Sequence, residues 1–385
     1  MAKYHLWAFC RYLSLALFIL SCYASPIPNK YADTPKQAKR YTVNLDLPPS
    51  ERWTNIAKDH KESLVQLLQE VKKMVPPEVV SLASFIGNDV DRYVPFPYGL
   101  EMVGVAEAVS GVSVGDVVLG NMLYEVTAYS HSKRGAGGGS SKRGQPKMCT
   151  SIVAEAINGT IYHGRNLDYT FTSVLSDMTV IVDFQEGGKT VYTGTTFAGM
   201  VGLLTAQKPH GFTITLDERD QGEWWMNALE AIVAGTHGIA ALHIRDAVST
   251  KDMDFESAVI FLADKPLVAP SYLIIGGTKP REGVVITRDR IAALDMWRLN
   301  AERGRWYLVE TNYDHWVPPP SDDDRRDPAI RAMNETTRAG LNPTSLFKVM
   351  STPPVLNSGT TYTVIMSAAV PGLYNTWIRN TENEN

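Results

Sequence analysis

Cys149 stands at the junction between a basic, Gly-rich tract, "SHSKRGAGGGSSKRGQPKM", and a strand-like run, "CTSIVAE". If the Met148–Cys149 peptide bond is cut, this residue carries both a thiol and a free α-amine. Such an amine titrates near pH 8 and can accept the thiol proton without any histidine, as N-terminal threonine nucleophiles use their own amine. The same thiol can attack the carbonyl that precedes it, so self-cleavage between Met148 and Cys149 is expected. Arg165 and Asp168 follow in "GRNLD", and the intervening "INGT" reads as a hairpin turn that folds "GRNLD" back beside "CTS". There Arg165 would place positive charge by the thiolate or a substrate carbonyl, and Asp168 would accept a hydrogen bond from the Cys149 ammonium. The plainer alternatives are a buried inert cysteine and a local Arg165–Asp168 salt bridge.

Other chemistries find no support. "EGGKT" at Glu186–Thr190 has the tail of a phosphate loop, but Asp183 occupies the position of the required earlier glycine. It reads as a hairpin turn. There is no H-E-x-x-H, paired C-x-x-C, calcium-loop or G-x-S-x-G pattern, so neither a metal nor a nucleotide cofactor is indicated. A net charge of −4 argues against a nucleic-acid binder, which would need a basic face.

The elements that must position Cys149 begin with a leader. Lys3 and Arg11 precede an apolar run over Tyr12–Leu20 that ends in Cys22-Tyr23-Ala24 and Pro26, the pattern of a signal peptide over 1–24. The alternative is an uncleaved anchor, for which the run is short. Removal of the leader takes Cys10 and Cys22 with it, leaves Cys149 as the one thiol, and excludes an intrachain disulfide. Asn158 and Asn334 head glycosylation sequons, which fit the secretory route.

Residues 25–42 read as a frayed polar leader. Helical spacing over Ser50–Met74, "EVVSLASFIGNDVDRYV" and "EMVGVAEAVSGVSVGDVVLGNMLYEV" makes 25–148 mainly helical, ending in the basic linker. From Cys149 to Asn385 short β-rich runs alternate with turns. Helices are expected near Trp224–Val233, Phe255–Ala263, Pro328–Arg338 and Ser345–Met350. Many antiparallel strands with interposed helices predict an α+β fold of stacked layers. "VVSLASFI" at Val79–Ile86 and "WWMNALEAIV" at Trp224–Val233 are candidate membrane-surface segments, with core packing as the alternative for both.

The run "CTSIVAE…GTIYHGRNLDY" resembles the N-terminal nucleophile (Ntn) hydrolases of the acid ceramidase group. The likeness continues through "YTGTTFAGMVGLLTAQKPHGFTITLDERD", "GGTKPREGVVITRDR", "VETNYDHW" and "DDRRDPAIRAMN". It implies an αββα sandwich (149–385) with a small helical α-subunit (25–148), a two-chain product of one precursor. It further implies a lysosomal or secreted hydrolase of a lipid amide. On the family's motifs the nucleophile falls on Cys149, the arginine and aspartate of "GRNxD" on Arg165 and Asp168, and an oxyanion donor on Asn312. The first arginine of "DDRR" falls on Arg325, and the acid of "ER" on Glu218. "VETNYDHW", "EWWMNA" and the C-terminal run are most similar to members that hydrolyse N-acylethanolamines. "VGLLTAQKP" and "STPPVLN" lie closer to the ceramide-hydrolysing members. The basic tract is longer than the family's usual approach to its nucleophile, and Lys133-Arg134 and Lys142-Arg143 offer sites to other proteases.

Overall fold

The computed structural model describes residues 35–127, 149–219 and 238–379. The leader, the basic linker with Met148, and the expected helix at Trp224–Val233 lie outside them.

Two antiparallel strands frame everything else: β3 (Cys149–Glu155) and β4 (Ile161–Asp168). Gly159 turns them with φ 84°, a left-handed conformation that glycine adopts without strain. The register pairs Cys149 with Leu167 and Ser151 with Arg165, so "GRNLD" does lie against "CTS". Side chains alternate across the strands. On β3, Ile152 and Ala154 pack in one core cluster and Val153 in another. Arg165 and Asp168 are an odd number of residues apart in one strand, which sends them to opposite faces.

β3 and β4 lie within a six-stranded sheet. Its other members are β1 (Lys36–Gln37), β12 (Tyr307–Glu310), β13 (Thr360–Met366) and β14 (Tyr374–Ile378), in the order β1-β14-β13-β4-β3-β12. The second sheet has eight strands. They are β2 (Lys39–Asn44), β5 (Thr179–Glu186), β6 (Lys189–Phe197), β7 (Thr205–Lys208), β8 (Phe212–Glu218), β9 (Ser271–Gly276), β10 (Gly283–Arg288) and β11 (Ala293–Arg298). Their order is β11-β10-β9-β8-β7-β6-β5-β2. Val153 and Ile161 of the first sheet interlock with Tyr272, Ile274 and Val285 of the second.

Helices cover both outer faces. Ala329 and Met333 of a helix over Arg326–Gly340, and Leu346, Val349 and Met350 of one over Pro343–Met350, pack on Ile152, Ala154 and Ile365. Helices over Ala240–Ser249 and Phe255–Asp264 back the eight-stranded sheet. The segment before the linker adds helices over Thr54–Asp59, Lys61–Met74, Pro77–Asn88, Val90–Tyr93, Tyr98–Ala108, Val114–Asn121 and Leu123–Thr127. Glu101 from this layer takes a bidentate ion pair from the buried Arg245, which ties the two parts of the chain together.

Three expectations need correction. The supposed frayed leader contains β1 and β2: β2 pairs in parallel with β5, and β1 pairs with β14, so one short stretch closes an edge of each sheet. The helix over Ser50–Met74 breaks at His60. Of the apolar pair at the end of "VVSLASFI", Phe85 is 55% exposed but Ile86 is 1% exposed and belongs to the core.

Candidate active site

Cys149 opens β3 at the head of the sandwich and is buried, 3% exposed. From β4, Arg165 donates from Nη2 to Cys149 Sγ at 3.3 Å and from the same nitrogen to Leu216 O at 2.8 Å. Its Nη1 donates to Leu204 O at 2.6 Å and to Thr205 Oγ1 at 2.9 Å. A guanidinium held by fixed carbonyls at both ends cannot swing away, so its charge is aimed at the sulfur. Burial pushes the Cys149 thiol up to about 12, against the opposing pull of Arg165. The local Arg165–Asp168 salt bridge does not form. The carboxylate beside Arg165 is Asp217, at 3.8 Å.

Asp168 faces the other way. Its Oδ2 accepts from Asn357 Nδ2 at 2.7 Å and lies 3.9 Å from Arg325 Nη1. Oδ1 has no hydrogen-bond partner among the described residues. Burial pushes its carboxyl up to about 6, with Arg325 opposing. In the uncut chain the Cys149 peptide N–H donates to Asn312 Oδ1 at 2.7 Å.

Asn312 follows β12, the strand beside β3. Its Oδ1 also accepts from Arg325 Nη2 at 2.9 Å, and its Nδ2 donates to the Glu218 carbonyl at 2.8 Å. Arg325, at the start of the Arg326–Gly340 helix, bonds the Cys149 carbonyl, Thr150 Oγ1 at 3.2 Å, and both oxygens of Asp323 at 2.7 and 2.9 Å. Glu218 ends β8 with its carboxylate buried, and its backbone carbonyl joins the group through Asn312. Cys149, Arg165, Asp168, Asn312, Arg325 and Glu218 therefore meet in one place, drawn from both sheets.

Three groups in this neighbourhood escaped the sequence reading: Asp217, Asp323 and Asn357. Only Asp217 left a signal. In "FTITLDE" the residues Thr213, Thr215 and Asp217 alternate with Ile214 and Leu216, a polar face in a strand that is buried throughout. A polar stripe on such a strand needs buried partners. The partners are Ser151 Oγ, which donates to Asp217 Oδ1 at 2.9 Å, and His163, whose ring nitrogens lie 3.0 and 3.1 Å from the Thr213 and Thr215 hydroxyls.

A buried thiol that opens a central strand, with a guanidinium on the sulfur and two sheets packed between helices, is the arrangement of an N-terminal nucleophile amide hydrolase. Comparison with known proteins agrees. A family described as linear amide C–N hydrolases, choloylglycine hydrolase family, matches residues 149–340. Another, described as the beta subunit of N-acylethanolamine-hydrolyzing acid amidase, matches residues 36–96. The N-acylethanolamine-hydrolyzing acid amidase of Rattus norvegicus is 42% identical over 375 residues, spanning 97% of this chain and 98% of that protein. The acid ceramidase of Homo sapiens is 34% identical over 364 residues, or 88% and 86% of the two chains. The solved Caenorhabditis elegans N-acylethanolamine-hydrolyzing acid amidase ortholog superposes with a TM-score of 0.55 at 37% identity, covering 60% of this chain and 99% of that one. The chain belongs to the family of N-acylethanolamine-hydrolyzing acid amidases and acid ceramidases.

Proposed function

We propose that the chain is a lysosomal precursor that cleaves itself before Cys149 and then hydrolyses N-acylethanolamines to fatty acid and ethanolamine. The observation that carries this reading is the placement of Cys149, with Arg165 Nη2 at 3.3 Å from its sulfur and Asn312 Oδ1 at 2.7 Å from its nitrogen. The substrate class follows the names of the more similar relatives. Acid ceramidases among the relatives make ceramide the second reading.

In the cut chain the α-amine takes the thiol proton and the sulfur attacks the amide carbonyl. Asn312 Nδ2 spends one N–H on Glu218 O, and its second N–H is the donor for the developing oxyanion. Collapse passes the proton held by the α-ammonium to the leaving nitrogen, expels ethanolamine and leaves an acyl-thioester, which water hydrolyses. Asp168 Oδ1 is the acceptor that the new ammonium would take, once the amine turns from Asn312. Arg325 holds the Cys149 carbonyl, Asn312 and Asp323 together and so fixes the strand head.

The two fragments stay associated through β1, β2 and the Glu101–Arg245 pair. Entry by the secretory route is supported by the leader and by the exposure of both sequon asparagines, Asn158 and Asn334. Among the described residues no helix is long and apolar enough to cross a membrane. Exposed Phe85 and Phe96 support a meeting with the lipid substrate at a membrane surface, the alternative being delivery by a carrier. The test of substrate class is turnover by the processed protein at acidic pH. An N-acylethanolamine should be hydrolysed faster than a ceramide of the same acyl chain, and the reverse order moves the protein to the second reading.

A further inference from the structure

We propose that Asp217 competes with Cys149 for the charge of Arg165, so that before the chain is cut the thiol ionises only as Asp217 takes up a proton. This rests on the reading of Cys149 as the nucleophile. In the uncut chain the Cys149 nitrogen is a peptide N–H already donated to Asn312 Oδ1, and it cannot take a proton. Some other group must hold it.

Arg165 is completely buried, and its partners Leu204 O, Leu216 O and Thr205 Oγ1 are neutral. The carboxylate beside it is Asp217, whose Oδ1 lies 3.8 Å from the same Nη2 that donates to Cys149 Sγ. Asp217 is held by the Ser151 hydroxyl, which in turn accepts from Thr215 Oγ1 at 2.9 Å. Behind them His163 adds no charge, because burial pushes it down to about 3. Asp217 Oδ2 is buried with no hydrogen-bond partner among the described residues, which leaves it free to carry a proton.

One buried guanidinium between two acids stabilises one anion well and two poorly. With Asp217 ionised, Cys149 stays a thiol. With Cys149 ionised, the S–H bond has broken, an O–H bond has formed on Asp217, and the single negative charge beside Arg165 is kept. Both states hold the same number of protons, so their ratio does not change with pH while the pair shares one proton. Burial pushes Asp217 up to about 7 and the thiol up to about 12, which places that shared-proton range across neutral and alkaline pH. The charged and titratable groups whose fields reach Asp217 are Arg165 and Asp168 of β4, Cys149 of β3, Glu310 of β12, and Arg325. Burial raises the tyrosines nearby, Tyr124 and Tyr362, and keeps them protonated throughout.

The experiment is alkylation of Cys149 by iodoacetamide across pH 5–10 on the full-length secreted chain. It is read by mass spectrometry on the peptide that still contains the Met148–Cys149 bond. In the native protein the rate should rise about tenfold per pH unit on the acid side and then level off above about pH 7. Asp217→Asn should show no levelling and be about tenfold faster at pH 8. Asp217→Glu should restore the levelling. Parallel profiles for the native and Asn proteins would overturn the proposal. If the Asn variant does not fold, Ser151→Ala decides: losing that hydrogen bond favours the neutral acid, so levelling should begin at higher pH, and an unchanged onset overturns the idea. Amide hydrolysis is assayed separately. A levelled profile in a native protein that hydrolyses no amide would sink the functional reading alone, and active hydrolysis without levelling would sink this one alone.

Discussion

Asn312 joins the nucleophile's own nitrogen, Arg325 and the Glu218 carbonyl through a single amide. Asn312→Ala should lower kcat by about 10²–10³-fold, the usual cost of losing an oxyanion donor, with KM changed much less. A larger effect on KM would make it a binding residue. Arg165→Lys keeps the charge but cannot hold the fork of carbonyls and sulfur together, and should lose most of the hydrolysis. Asp168 also carries a stability signature. Its carboxyl rises from 3.8 to about 6 in the fold, so the stability linked to its protonation is fully present below 3.8 and is lost as pH rises through about 6. In the chain kept uncut by Cys149→Ala, Asp168→Asn lacks that loss. The stability of the Asn protein relative to that parent chain should therefore improve from pH 4 to 7, by at most about tenfold in the unfolding constant per pH unit; denaturant titrations at several pH values would show a constant difference if the carboxyl is not raised.

β1 and β2 carry a consequence for the cut protein, because the segment before the linker reaches the rest of the fold partly through them. Val43 is fully buried on β2, and Arg40 beside it pairs with Asp183 of β5 at 2.8 Å. Val43→Asp buries a charge with no partner and should cost several kcal/mol at this seam. After acid cleavage the fragment before Cys149 should then separate from the rest on gel filtration, whereas the fragments of the native protein should elute together. These strands were hard to read because "KQAKRYTVN" has few apolar positions and its pairing depends on β5 and β14, far along the chain. Hairpins such as β3–β4 and β5–β6 were legible from their Gly turns, since the information is local. The site divides in the same way. Cys149, Arg165 and Asp168 sit in one hairpin and could be placed together from sequence, but Asp217 and Asn357 arrive through β8 and the loop before β13. Nothing near Cys149 in sequence announces them. Asn312, Arg325 and Glu218 were reached through family resemblance, not through spacing.

Across the molecule, the helical segment before the linker exposes Met74, Phe85 and Phe96, with the Phe85 ring tilted against Tyr93 at a centroid distance of 5.2 Å. Exposed aromatic and apolar side chains of this kind suit a bilayer interface. Liposome flotation of the processed protein should weaken when Phe85 and Phe96 become Ser, while hydrolysis of a short soluble amide persists. Loss of both would mean that these side chains support the fold. The proposed two-chain product depends on one bond, Met148–Cys149, whose cleavage would convert Cys149 into an N-terminal nucleophile. The direct measurement is N-terminal sequencing of the large fragment after the purified precursor is incubated in acid, run beside Cys149→Ala. The account predicts a fragment beginning Cys-Thr-Ser and an uncut Ala variant. A fragment beginning elsewhere in the basic tract, or an Ala variant cut at the same bond, would contradict it.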